Sequence, residues 1–190
     1  MADSLSQHVP AERELHDHSS GQKTIVLRRR FDAPIERVWE ALTSPECLVR
    51  WYLPLGGDLR EGGYYFLEGN AVGEIQRCDR PHELALTWIY GEFSSDLSVR
   101  LLPRGELTLL ELQHEPIPLD MIANPTPELW GLAVNWEMLL IGLGEFLDGR
   151  TPAGRAVDWM RLISEEERAA TAEVARQINE DWLVACGAGG

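Results

Sequence analysis

The chain has 190 residues, with 31 acidic and 17 basic side chains, so its formal net charge is −14 at pH 7. Nucleic acids and anionic membranes are polyanions and would repel such a chain, so we expect neither as a partner. The three cysteines lie far apart without a Cys-x-x-Cys motif, which favours reduced thiols in a cytoplasmic protein over a disulfide framework. No secretory signal is visible at the N-terminus.

Residues 1–22 are polar and contain Pro10, Ser19, Ser20 and Gly21. This composition predicts a disordered N-terminal tail. His16 and His18 flank a single residue there, but no cysteine accompanies them, so we interpret them as incidental. We therefore expect no metal site and no cofactor.

The first regular elements are a strand and two short helices. Residues 23–31 are rich in β-forming side chains and predict a strand. Pro34 suits the start of a helix that ends near Thr43, and Ser44-Pro45 starts a second helix that ends near Trp51. Apolar side chains at helical spacing mark the first helix on one side: Ile35, Val38, Trp39 and Leu42.

Glycine pairs and alternating side chains then predict a series of strands. The predicted strands cover residues 64–68, 72–78, 84–90, 97–101 and 108–114, and the short turns between them favour an antiparallel meander. Tyr64 and Phe66 share one strand face with Glu68, and we expect these two aromatic side chains to point inward. His114 lies on a face that is also expected to point inward.

A long helix is predicted at residues 128–147, which contain no proline. Its apolar side chains surround almost the whole helix, which is typical of burial on more than one side. The charged residues Glu128, Glu137 and Glu145 oppose a membrane span. We therefore expect a curved sheet to wrap around this helix.

Residues 150–190 form a predicted helical extension. Ser164 and Glu167 have the spacing of a capping box, and the helix is expected to end near Ala185. Its apolar side needs a partner, for which we consider either the outer face of the sheet or a second subunit, the latter giving a homodimer. The apolar side comprises Thr171, Val174, Ala175, Ile178 and Trp182.

Several segments resemble the AHSA1-like branch, named after the activator of Hsp90 ATPase, of the START/Bet v 1-like (SRPBCC) superfamily. The resemblance covers residues 23–149 and rests on these matches: Phe31-Asp32-Ala33-Pro34, Val38-Trp39-Glu40-Ala41-Leu42-Thr43, Arg50-Trp51-Tyr52, Gly62-Gly63-Tyr64-Tyr65-Phe66, Leu110-x-Leu112-x-His114 and Trp136-Glu137. It implies an α+β helix-grip domain, with a curved antiparallel sheet around the long helix and often an apolar cavity between them. Superfamily members bind lipids, hormones or polyketides, and a few are cyclases or hydrolases.

The candidate ligand-binding residues are mainly aromatic side chains expected around the long helix. They are Trp51, Tyr64, Phe66, Trp88, Tyr90, Leu112, His114 and Trp130. The same side chains would also suit a filled core, and the sequence does not decide between the two. We favour a protein that binds a small hydrophobic molecule. We also consider an interaction module, linked to a chaperone or dimeric, and an enzyme that uses His114 as general acid or base.

Overall fold

A computed structural model of the chain describes residues 11–124, 131–150 and 165–187. The strands in these residues are β1 Glu12–Asp17, β2 Lys23–Phe31, β3 Leu55–Gly57, β4 Tyr64–Leu67, β5 Val72–Asp79, β6 Glu83–Tyr90, β7 Phe93–Arg104 and β8 Leu107–Ile117. The helices are α1 Ile35–Thr43, α2 Pro45–Trp51, α3 Leu119–Ile122, α4 Leu132–Leu147 and α5 Glu165–Ala185.

All eight strands form one antiparallel sheet in the order β1-β2-β8-β7-β6-β5-β4-β3. Strands β3 to β8 follow one another in space as they do in the chain, which confirms the predicted meander. The sheet curves around the helical layer, so the α+β helix-grip fold is confirmed. Within the described residues, none of the helices combines the length and apolarity that spanning a bilayer requires.

Helices α1 and α2 connect β2 to β3 and pack on the inner side of the sheet. Pro34 immediately precedes α1, and Ser44 caps α2, where its hydroxyl accepts a hydrogen bond from the Cys47 amide at 3.4 Å. The apolar stripe of α1 turns Val38 and Trp39 into the core. Both helices therefore begin and end as their sequence predicts.

The long helix α4 is buried on more than one side, as its nearly continuous apolar surface predicts. It begins at Leu132, and residues 128–130 of the predicted helix lie outside the described residues. Gly131 directly precedes α4. This position requires glycine, because a Cβ there would lie 2.1 Å from the Ile122 carbonyl oxygen. The buried residues of α4 are Ala133, Val134, Trp136, Glu137, Leu140, Ile141, Leu143 and Leu147.

The predicted disordered tail is wrong for residues 12–17, which form β1 and pair with β2 from Glu12–Arg28 to Asp17–Lys23. Residues 1–10 lie outside the described residues. Ala11 is buried and Leu15 packs against the core, although the segment is rich in charged residues. Its composition therefore does not reveal that it packs on the domain. Arg13, which belongs to the predicted tail, contacts Glu137 of the long helix instead.

The C-terminal helix α5 packs on α4 of the same chain, and not on the outer face of the sheet. Its buried side includes most of the predicted apolar positions, and Trp182 is fully buried. Ser164 of the predicted capping box lies outside the described residues. The side that faces water carries Arg176, which forms ion pairs with Glu173 and Glu180.

A buried ion pair joins β1 and α5 to α4. The Arg13 guanidinium donates to the two Glu137 carboxylate oxygens at 2.5 and 2.9 Å, and to Asp181 at 2.9 Å. The Trp182 indole donates to Glu137 at 2.6 Å. Burial alone would lower the pKa of Arg13, but the bonds and charges of Glu137 and Asp181 outweigh it and raise that pKa. The pair thus connects β1, α4 and α5.

Candidate apolar cavity

The structure contains an apolar cavity of about 100 Å³ between the inner face of the sheet, helices α1 and α2, and the long helix α4. Six aromatic side chains contribute to its wall: Trp39, Trp51, Tyr52, Tyr65, Trp88 and Trp136. The rest of the wall consists of leucines, Val99 and Thr43. Arg, Lys, Asp, Glu and His side chains are all missing from the lining that the structure describes.

Three of the eight predicted ligand-binding residues line this cavity, namely Trp51, Trp88 and Leu112. All three are at least 91% buried. Trp130 lies outside the described residues. Trp39 and Trp136, which sequence reasoning assigns to the core, are buried and also line the cavity.

Tyr64, Phe66 and Tyr90 do not line the cavity, so the expectation that they point inward is wrong. They are 69%, 51% and 58% exposed. Strand β4 has the opposite orientation to the expected one, with Tyr65 and Leu67 pointing inward. Phe66 lies over Gly56 on the outer face, where a Cβ on Gly56 would come 2.1 Å from its ring.

Tyr65 and Leu67 line the cavity but are not among the predicted ligand-binding residues, because the sequence analysis assigns β4 the opposite orientation. One signal for them is present in the sequence. In the sequence, Glu68 shares a strand face with Tyr64 and Phe66; the structure adds Glu74, which is paired directly with Tyr64. Two carboxylates on one face indicate that this face meets water, because unpaired charges are rarely buried. Tyr90, by contrast, is the last residue of β6, where it lies beside the turn at Gly91.

His114 is fully buried, but it is not part of the cavity wall. The Trp136 indole donates a hydrogen bond to its Nδ1 at 2.9 Å, so Nδ1 carries no proton. In the neutral ring the proton is then on Nε2, which donates to the Ser95 hydroxyl at 2.6 Å. Burial lowers the pKa of His114 to about 3. The ring is therefore neutral near pH 7 with both nitrogens engaged, so it has no free nitrogen for acid–base catalysis.

His114 supports the wall of the cavity through its contacts with two tryptophan rings. Its ring meets Trp136 edge to face, with 5.5 Å between centroids, and meets Trp88 in the same way at 6.1 Å. Trp88 and Trp136 also contact each other at 5.0 Å. Of the four indoles that line the cavity, those of Trp88 and Trp136 are thus fixed by a buried histidine behind them.

Two further polar groups of the wall bond to the protein. The Tyr65 hydroxyl donates to the Thr87 carbonyl oxygen at 2.9 Å, and the Trp51 indole donates to the Ala41 carbonyl oxygen at 2.9 Å. Burial raises the pKa of Tyr65, and the nearby Tyr52 contributes to that rise. Burial also raises the pKa of Tyr52 to about 12.

The described residues contain no cluster of three or more His, Cys, Asp or Glu side chains suited to a metal ion. His16 contacts Glu14, and His18 contacts Ser20, so each ring has a neighbour within β1 or the turn after it. Burial raises the pKa of the Cys78 thiol, which keeps it protonated near pH 7.

Comparison with known proteins connects this architecture to a family. The family described as Activator of Hsp90 ATPase homolog 1-like protein matches residues 32–148. CalU16 from Micromonospora echinospora is 34% identical; its solution structure superposes with a TM-score of 0.76, covering 97% of this chain and 100% of CalU16. The crystal structure of CalU16 gives a TM-score of 0.72, covering 93% of this chain and 98% of CalU16.

More distant structures share the fold alone. PFC0360w, an HSP90 activator from Plasmodium falciparum, is 22% identical and has a TM-score of 0.54, covering 66% of this chain and 96% of its own. The Aha1 dimer from Colwellia psychrerythraea is 16% identical with a TM-score of 0.54, covering 68% of this chain and 98% of its own. Among curated proteins, none matches significantly. The chain belongs to the AHSA1-like family of the SRPBCC superfamily.

Proposed function

We propose that this protein binds a small hydrophobic molecule in the cavity between the sheet and α4. The observation that carries the proposal is the cavity itself, because its wall is almost wholly apolar and rich in aromatic rings. Apolar cavities stay dry and accept apolar ligands, since water finds too few hydrogen-bond partners there. The ion pair between Arg13 and Glu137 holds α4 in place around the cavity, and His114 holds the indoles of Trp88 and Trp136.

The volume limits the size of the ligand. Sites for drug-sized ligands usually measure ~300–1,000 Å³, whereas an apolar cavity of about 150 Å³ is sufficient for benzene in another protein. A cavity of about 100 Å³ therefore suits a single ring, with small movements of its wall. Larger ligands would have to displace side chains at the half-buried edge, such as Tyr52, Leu55 and Leu139.

Calorimetric titration with isopropylbenzene tests this proposal. We expect saturable binding to the wild-type protein and loss of binding in Leu112→Phe, because the larger ring fills the cavity. Leu101→Phe is the matched control: Leu101 is equally buried in the neighbouring strand but does not line the cavity. Each variant adds volume to a packed core and should cost about 1–3 kcal/mol of stability. Equal binding by both variants, or none by the wild type, would refute the proposal.

A second candidate is a protein-interaction module, as in the Hsp90 activators that share the fold. The observation in its favour is an exposed apolar row on the outer face of the sheet, in which Phe66 pairs with Val72 and Val72 with Ile89. If this surface binds a chaperone, purified Hsp90 should show raised ATPase activity with this chain. Phe66→Ser should abolish the increase, and Leu112→Phe should leave it intact.

A homodimer through α5 and an enzyme based on His114 receive less support from the contacts. The homodimer would have to use the charged side of α5, because the apolar side already packs on α4. Sedimentation at increasing protein concentration tests it, and a constant monomer mass would exclude it. The enzyme would need a free imidazole nitrogen, whereas Trp136 and Ser95 engage both nitrogens of His114.

A further inference from the structure

We propose that the outer face of the sheet binds a basic amphipathic segment of another protein, whose apolar side packs on an apolar row and whose cations pair with an acidic row beside it. The inference rests on the interaction function given above as the second candidate, and it specifies the chemistry of the partner. It does not depend on the cavity. The apolar row consists of Phe66, Val72 and Ile89, and the acidic row consists of Glu74, Asp96 and Glu115.

The apolar row crosses three adjacent strands of the outer face. Phe66 of β4 pairs with Val72 of β5, and Val72 pairs with Ile89 of β6. Their side chains are 51%, 47% and 37% exposed, and the ring of Tyr64 extends the apolar surface on β4. The C-terminal helix α5 packs on α4 and leaves these side chains uncovered. Contiguous exposed apolar surface of this kind marks an interaction site.

The acidic row lies beside the apolar row, two residues further along the strands. Two residues of a strand span about 6.6 Å, which is the separation between Val72 and Glu74 on β5. Thr87 lies between Glu74 and Asp96, and its hydroxyl accepts the Glu74 amide at 2.8 Å. Asp96 in turn is paired with Glu115. The two rows therefore form one continuous surface that is apolar on one side and acidic on the other.

The carboxylates of the acidic row lack a cationic partner among the residues that the structure describes. Elsewhere on the outer face carboxylates pair with arginine, as Glu111 does with Arg28 at 2.6 Å. Asp96 and Glu115 are directly opposite each other in adjacent strands, and like charges in that position destabilise a sheet. A cation supplied by a partner would relieve this repulsion, so binding of a basic side chain is favoured here.

Charge also distinguishes between the possible occupants of this face. A second copy of the chain would bring acidic row against acidic row, and each copy carries a net charge of −14. Nucleic acids and anionic membranes would be repelled as well. A basic amphipathic helix fits, because its pitch of about 5.4 Å is close to the strand spacing of about 4.8 Å. Successive turns can then place apolar side chains on successive strands and lysines over the carboxylates.

A fluorescently labelled synthetic peptide of leucine and lysine, with leucine at helical spacing, tests the inference. Binding is followed by anisotropy at about 0.15 M salt, where charges more than about 8 Å apart are largely screened. We expect saturable binding to the wild type. Glu74→Gln combined with Asp96→Asn should weaken it about fivefold, because two exposed ion pairs are lost. Phe66→Ser should weaken it about tenfold, since the central aromatic contact is removed.

Two matched controls remove equivalent groups elsewhere. Glu36→Gln combined with Glu40→Gln removes the same charge from the exposed side of α1, and Val184→Ser removes an exposed apolar side chain from α5. Both should leave the affinity unchanged. Equal weakening by the two pairs of charge substitutions would mean attraction by net charge alone and would overturn the inference. It would equally be overturned by a wild type that does not bind, or by binding of a peptide with glutamate in place of every lysine.

Further measurements separate this inference from the two proposed functions. Leu112→Phe, which fills the cavity, should bind the peptide as the wild type does, so the cavity proposal is tested independently. Stimulation of Hsp90 without peptide binding would overturn the inference and leave the second candidate function in place. Self-association that Phe66→Ser abolishes would assign the face to a second copy, and would also overturn it.

Discussion

Replacing Arg13 with methionine tests how β1 and α5 are held on the long helix α4. Methionine keeps most of the apolar length of the arginine side chain and removes the guanidinium. Glu137, whose side chain is only 3% exposed, would then retain the hydrogen bond from the Trp182 indole and the nearby positive charge of Arg29, but would lose its direct ion pair with Arg13.

The expected cost follows from this burial. Removing one partner of a buried ion pair typically costs about 3–5 kcal/mol, because the other charge stays buried without compensation. The Arg13 side chain is 19% exposed and Glu137 keeps one hydrogen bond, so we expect about 3 kcal/mol, the low end of this range. Adding Glu137→Gln removes the buried charge and keeps an acceptor for Trp182. The double variant should therefore recover much of the loss.

Urea unfolding followed by tryptophan fluorescence provides the measurement. Arg100→Met is the control, because Arg100 is 53% exposed and pairs with Glu83 at 3.1 Å on the outer face of the sheet. Exposed pairs contribute about 0–1 kcal/mol. If Arg13→Met costs no more than Arg100→Met, the pair does not hold β1 and α5 on α4, and the reasoning is wrong.

Two further predictions concern the core. The pKa of His114 is about 3 in the folded protein against an ordinary value of 6.5, so below pH 6.5 only the unfolded state takes up this proton and stability falls. His114→Gln has no group that takes up this proton. Between pH 7 and pH 5 the difference in unfolding free energy between wild type and variant should therefore shift by about 2 kcal/mol in favour of the variant. Urea unfolding that gives the same difference at both pH values would contradict this prediction. Gly73→Ala should destabilise by about 1–3 kcal/mol, because the new Cβ would lie 1.9 Å from the Thr87 carbonyl oxygen. Gly142→Ala, whose Cβ would meet Trp51 at 3.8 Å, should instead be neutral or gain up to about 1 kcal/mol in thermal unfolding.

The elements with a strong repeating pattern are the ones that the sequence predicts well. Leu132–Leu147 has no proline and is apolar on nearly all sides, so its burial follows directly. Pro34 and Pro45 mark the starts of α1 and α2 as expected. In these elements the local preference and the tertiary contacts agree.

The remaining differences arise where distant residues decide the structure. Arg13 and Glu137 are 124 positions apart, so the polar sequence around Arg13 does not reveal that its side chain pairs with α4. In β4 both faces are apolar, with Tyr64 and Phe66 on one and Tyr65 and Leu67 on the other, so alternation alone does not choose the inner face. That error also misplaced two of the predicted ligand-binding residues, whereas Trp88 and Leu112 lie in longer strands whose orientation is clear.

A crystal pressurised with xenon tests the apolar cavity most directly, because xenon enters dry cavities and scatters strongly. The structure predicts a xenon atom between the sheet and α4, in contact with Trp88, Leu112 and Leu140. Leu112→Phe should exclude it, and Leu101→Phe should not. A wild-type crystal in which these side chains touch one another and xenon binds only elsewhere would contradict a ligand site inside this protein.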